Sequence, residues 1–173
     1  IRANIVPFTY KKDDTMREII DFDKNWLFHK GDINYPEPKN KGAMYIGAKT
    51  ERYHIGPASR FYYANPDSYD LNVEFKPEKW ESVDLPHDYI IGGEMSENNN
   101  NALGFFKYEN AWYIKRFFLK KGDENKRITL LFEGVATHAT VYLNGCLLKH
   151  NFCGYTTFEV DITDYAKFDE ENV

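Results

Sequence analysis

The stretch ESVDLPHDYIIGG, residues 81–93, places Pro86, His87 and Asp88 between an apolar-alternating run and a double glycine. Two kinds of chemistry suit Asp88. An aspartate after a Leu-Pro-His turn accepts backbone N–H bonds and settles a loop, with His87 packed or exposed beside it. Alternatively, the carboxylate faces a ligand.

Other reactive side chains are sparse in pattern. Cys146 and Cys153 are too few for a disulfide framework, and the five histidines lack the spacing of a zinc site. We therefore expect two bland thiols, no metal and no cofactor. Trp26, Trp80 and Trp112 could stack on sugar rings, but each lies at or near an expected strand with apolar neighbours, which favours core packing. The run SENNNNALGFFKYEN reads either as amides lining a sugar site or as a solvated loop. Gly154-Tyr155 reads as a turn followed by a packed aromatic, with no ligand.

These residues need a scaffold, and the composition points to a β-rich one. The chain has 173 residues, 42% hydrophobic and 28% charged, enough for one domain with a real core. Aromatics reach 17%, with 13 Tyr and 13 Phe, residues that favour pleated, half-buried surfaces. Net charge is −5, from 22 basic and 27 acidic residues, and the basic ones are scattered, so a nucleic-acid partner is not expected. No apolar run approaches the roughly 20 residues that span a bilayer, and the N-terminus lacks a basic stretch followed by an apolar one. We expect a soluble chain with no membrane partner. It begins at Ile1, which leaves room for an upstream segment and leaves the compartment open.

Arg17 to Lys30, REIIDFDKNWLFHK, reads as two short strands around a turn at Asp23-Lys24-Asn25. Thr15 and Glu18 have the competing spacing of a helix capping box, and strands are preferred. Residues 31–79 lose periodicity and gain Gly, Pro, Asn and Tyr, as in NYPEPKNKGAMYIG, which predicts a long irregular insertion. Further on, Ile128, Leu130 and Phe132 alternate with Thr129, Leu131 and Glu133. Ala139, Val141 and Leu143 alternate with Thr140, Tyr142 and Asn144, and Phe158, Val160 and Ile162 with Thr157, Glu159 and Asp161. Period two predicts strands with one buried face, and Asn144-Gly145 predicts a tight hairpin. Short strands between turn signals suggest an all-β antiparallel sandwich.

The series NWLFHKGD, WESVDLPHDY, AWYIKRFFL, RITLLFEGVATHATVYLNG, GYTTFEVDIT and ENV resembles the N-terminal sugar-binding domain of glycoside hydrolase family 2, the β-galactosidase and β-glucuronidase family. The resemblance covers most of the chain in the family's order. It implies a jelly-roll β-sandwich of the galactose-binding-domain type, placed before an immunoglobulin-like domain and a (β/α)8 catalytic barrel. Two departures stand out: the family's aromatic-Arg-Lys run is Tyr113-Ile114-Lys115, and residues 31–79 exceed the usual connection.

Such a barrel needs about 250 residues, so residues 1–173 are expected to form a single sandwich domain, cut at Asn172-Val173 where the family's next strand would begin. The resemblance implies retaining hydrolysis by two glutamates on the barrel, so no acidic residue of this chain is assigned a catalytic role. It also implies that Asp88 reaches the barrel's mouth and accepts bonds from sugar hydroxyls, a task suited to an acceptor-only carboxylate. The expected partners are the rest of the same hydrolase and a carbohydrate ligand. An autonomous carbohydrate-binding module, with its own sugar site on the sandwich, is the alternative. Sugar specificity would lie in the barrel.

Overall fold

The computed structural model describes residues 3–8, 18–31, 80–144 and 146–173. The expected insertion at 31–79 lies outside the described residues apart from Gly31, as does Thr15 of the competing capping box. Eleven strands and two single-turn 3-10 helices are present among the described residues. The strands are β1 (Ala3–Phe8), β2 (Ile20–Asp21), β3 (Trp26–Lys30), β4 (Glu81–Val83), β5 (Ala111–Ile114), β6 (Phe117–Phe118), β7 (Arg127–Phe132), β8 (Ala139–Leu143), β9 (Cys146–Asn151), β10 (Phe158–Asp161) and β11 (Glu171–Asn172).

One sheet runs β10-β7-β1-β2 and a second runs β4-β3-β5, with two further strand pairs, β6-β11 and β8-β9. All of these pairings are antiparallel. The core lies between the sheets. Ile128, Leu130 and Phe132 of β7, and Phe158 and Val160 of β10, bury one face of the larger sheet against Trp26, Leu85, Leu119 and Leu143. Phe132 and Phe158 sit opposite each other in register, with rings stacked at 4.8 Å. This is the inward face that the period-two pattern predicts. Thr129 is also buried, because β7 is flanked on both sides by β1 and β10.

β1 has no counterpart in the sequence expectations, and it contains Pro7, which lacks a ladder donor. The register explains its tolerance. Pro7 pairs with Ile128 of β7, whereas β2 pairs with Asn4 and Ile5, so among the described residues no strand lies on the other side of Pro7. The turn between β2 and β3 is where the sequence places it, with Asn25 at φ 58°.

The expected hairpin joins β8 to β9, with Leu143 opposite Cys146 and Asn144 at φ 51°. Asn144 does more than turn the chain. Its Nδ2 donates to the Asn172 Oδ1 and to the Tyr165 carbonyl, each at 2.9 Å, and its Oδ1 accepts from the Val173 N–H at 3.1 Å. Asn144 and Asn172 are both buried, so this amide pair fastens the hairpin to β11.

Two expectations about aromatic packing need correction. Trp26 is in the core, with Nε1 donating to the Phe22 carbonyl at 2.7 Å, but Trp80 and Trp112 are only half-buried. Trp112 pairs with His29 across β5 and β3, and the Trp80 ring lies 5.3 Å from His29. Period two places His29 on the face of β3 opposite to Trp26 and Phe28. Tyr155 is not packed but 96% exposed. The neighbouring backbone makes the contact instead: a Cβ on Gly154 would come within 2.7 Å of the Ala136 Cα, which leaves the Tyr155 ring in solvent.

Candidate functional site

β3 carries Trp26 and Phe28 on its inner face, and β5 places Tyr113 opposite Phe28. Trp26 belongs to the main core. Two residues further along, Phe28 instead forms the floor of an aromatic cluster with His87, Tyr89 and Tyr113, at ring distances of 4.7, 5.5 and 5.1 Å. The loop that follows β4 sits on this floor. Its first turn contains a cis Leu85–Pro86 bond, with Leu85 inserted into the core.

Hydrogen bonds fix the loop at both ends. The Leu85 N–H donates to the Asp23 carbonyl at 2.7 Å. Asp84 accepts from the Asn25 N–H and from Lys24 Nζ, each at 2.9 Å, and the two donors hold its carboxyl below the usual range, the backbone bond contributing most. Beyond the proline, His87 Nδ1 lies 2.9 Å from the Tyr113 hydroxyl. The Tyr89 hydroxyl donates to the Glu109 carbonyl at 2.6 Å. Burial raises the pKa of Tyr113 far above its ordinary value, with Tyr89 and Asp88 adding to the effect. Both phenols stay neutral, and Tyr89 is a donor.

Asp88 stands on this platform as an exposed residue. Its Oδ1 accepts from the Ile90 N–H at 2.9 Å and the Ile91 N–H at 3.3 Å. Its Oδ2 takes no hydrogen bond from the described residues. One oxygen of Asp88 thus settles the turn, as an aspartate after a Leu-Pro-His turn can. The sequence singled out His87 and Asp88 but missed Phe28, Tyr89 and Tyr113, which hold them. The available signal was Phe28, two residues after Trp26 on the same strand face.

The SENNNN segment uses its amides on itself. Asn100 caps the 3-10 turn Asn101–Leu103 through Ala102 N–H, and Asn99 Nδ2 donates to the Phe105 carbonyl at 2.9 Å. Four large apolar side chains are exposed along this loop, Ile91, Met95, Phe105 and Tyr108, interspersed with exposed Glu94, Glu97, Asn98 and Lys107. No group of three or more His, Cys, Asp or Glu is placed to hold a metal among the described residues. Cys146 is half-buried and Cys153 exposed, both as free thiols. No described helix is long and apolar enough to cross a membrane.

Comparison with known proteins identifies the scaffold. The family model described as glycosyl hydrolase 2 galactose-binding domain-like matches residues 70–173. The chain belongs to this family. The galactose-binding-like domain is 37% identical over 101 residues to a β-galactosidase of Bacteroides ovatus, a match covering 57% of this chain and 12% of the relative. It is 36% identical over 107 residues to a β-galactosidase of Thermoanaerobacter pseudethanolicus, covering 57% and 13%, and 31% identical over 125 residues to a β-glucuronidase of Formosa agariphila, covering 70% and 12%. Among solved structures, a β-glycosidase from Bacteroides vulgatus aligns with a TM-score of 0.58 at 28% identity, over 87% of this chain and 16% of that one. The domain therefore spans 12% to 13% of the length of these curated relatives, and its fold is the galactose-binding-like β-sandwich that the sequence implies.

Proposed function

We propose that this galactose-binding-like domain is a non-catalytic part of a retaining β-galactosidase-like glycoside hydrolase, that it packs on the catalytic barrel, and that it lends Asp88 to the bound sugar. One observation carries the reading: Asp88 is exposed on a loop braced from beneath, with one carboxylate oxygen spent on the turn and the other open to a hydroxyl donor. The curated relatives, named as β-galactosidases and β-glucuronidases, are several times longer than the stretch they share with this domain, which supports a role within a larger hydrolase. The segment after Asp88 exposes Ile91, Met95, Phe105 and Tyr108, large apolar side chains of the kind that a packed neighbour covers.

The test uses the full-length hydrolase. Asp88→Ala should reduce kcat/KM by about tenfold or more, since a hydrogen bond to a charged group contributes about 1.5 to 3 kcal/mol, a larger effect than the loss of stability from removing its two turn hydrogen bonds. Unchanged kinetics would refute the contact. The 173-residue chain by itself should not turn over nitrophenyl β-galactoside, and activity above a mock-purified control would show that catalytic carboxyls reside within it.

A further inference from the structure

A second surface, on the β8-β9 hairpin, has a different chemistry from the Asp88 loop. Thr140 of β8 is directly opposite His150 of β9, and Ala139 is opposite Asn151. Continuing that register by one step brings His138 beside Phe152 on the face that Thr140 and His150 share. The rings meet there. Phe152 stacks on His150 at 4.3 Å and 28°, and His138 stands edge-on to Phe152 at 5.4 Å. The Thr140 Oγ1 lies 3.1 Å from His150 Nδ1, which fixes the imidazole that backs the Phe152 ring. Phe152 is nevertheless 71% exposed.

The adjoining turn is held just as firmly. The Asn151 Nδ2 donates to the Cys153 carbonyl at 2.6 Å. Gly154 lies against Ala136, and the N–H groups of Tyr155 and Thr156 point at the Cys153 sulfur. Phe152 and Tyr155 are thus presented to solvent by ordered backbone. A rigid aromatic held in water loses little entropy on binding, because its orientation is set in advance. The flanking groups are two imidazoles and a hydroxyl, hydrogen-bonding side chains beside an exposed ring, which suits a partner that has both an apolar face and hydroxyls. This face contrasts with the segment after Asp88, where exposed Glu94, Glu97 and Lys107 add fixed charge beside the apolar Ile91, Met95 and Phe105.

We propose that this hairpin face is a saccharide site separate from Asp88, in which the C–H face of a pyranose stacks on the open side of Phe152 and its hydroxyls reach His138 and the Tyr155 hydroxyl. The site would hold the hydrolase on a polymeric or branched glycan while the chemistry proceeds elsewhere. Nothing in this inference depends on the role assigned to Asp88.

The experiment is an NMR titration of the 173-residue chain with β-linked gluco-, galacto- and mannohexaose, reading the ring signals of Phe152, His138, His150 and Tyr155. At least one hexaose should give saturable shifts centred on these rings. Phe152→Ala should weaken binding roughly tenfold, the loss expected for an aromatic anchor, and as an exposed substitution it should leave the melting temperature near wild type. Thr140→Val should weaken binding several-fold by releasing His150, whereas Asp88→Ala should leave it unchanged. Absence of saturable shifts at tens of millimolar hexaose, or shifts centred on the Asp88 loop, would overturn the proposal. Hydroxyl-radical protection of Phe152 and Tyr155 in the full-length hydrolase without glycan would overturn it too, by assigning the face to a protein neighbour.

Discussion

Asp84 and Asp88 bracket the same Leu85-Pro86-His87 turn, yet the structure uses their carboxylates differently. At the Asp84 end both oxygens are engaged, one by the Asn25 N–H and one by Lys24, and Leu85 anchors the adjoining backbone in the core. At the Asp88 end one oxygen takes two N–H groups from its own loop, and the support beneath is the Phe28, His87, Tyr89 and Tyr113 cluster. Identical side chains four positions apart thus accept two hydrogen bonds each but distribute them differently: Asp84 takes one on each oxygen from a distant turn, and Asp88 takes both on one oxygen from its own loop. Position on a rigid turn serves both purposes, and the distribution of bonds between the two oxygens separates them.

The sharpest way to break the comparison is to remove the floor under the Asp88 end. Phe28 is 5% exposed, so Phe28→Ala should destabilise the domain by about 3 to 5 kcal/mol, the cost of a large-to-small change at a buried ring. Chemical denaturation measures this directly. A loss below about 1 kcal/mol would mean that the cluster is not a structural support, and the contrast between the two ends would fail.

Exchanging carboxylate for amide sharpens the comparison without altering shape. In the full-length hydrolase, Asp88→Asn should lower kcat/KM by about tenfold, since charged hydrogen bonds exceed neutral ones by about a factor of two. Asp84→Asn should leave kinetics near wild type and lower the melting temperature. Reversed results, with Asp84 governing turnover and Asp88 governing melting, would invert the assignment. A smaller effect should follow Tyr113→Phe, which removes the hydroxyl bonded to His87 Nδ1. A net hydrogen bond contributes about 0.5 to 1.5 kcal/mol, and KM should rise more than kcat falls if His87 positions Asp88.

The strands were legible because a half-buried sheet writes its faces into every second residue, and Ile128, Leu130, Phe132, Phe158 and Val160 all follow that rule. Local turn chemistry was legible as well, at Asn25 and at Asn144. What failed was information held in pairings distant along the chain. Asn144 read as a turn residue, and only the fold brings it to Asn172 and Val173. β1 was missed because its place in the sheet comes from pairing with β7, more than a hundred residues away. Tyr155 read as packed because an aromatic after a glycine usually seeks cover, whereas here the glycine backbone occupies the contact. Asp88 was legible as a candidate, but which of its oxygens is spent depends on the loop path after residue 89 and on a floor supplied by β3 and β5.

The finest test of the comparison is pH. In the folded domain the Asn25 N–H, and after it Lys24, hold the Asp84 pKa below its model-peptide value of 3.8. A depressed folded pKa contributes stability that is present above the unfolded value and is lost as pH falls through the folded one. Asp161 acts in the same direction: burial alone raises it, but hydrogen bonds from Thr163 and Arg127 outweigh burial and hold it low. The urea midpoint of the domain should therefore fall as pH drops from about 5 to about 3, the window in which such carboxylates take up protons. Asp84→Asn should flatten part of that fall and leave the share due to Asp161. If the slope of the Asp84→Asn variant matches wild type, the Lys24 and Asn25 bonds do not favour the charged carboxylate. Asp84 would then lose its distinction from Asp88 as the structural member of the pair.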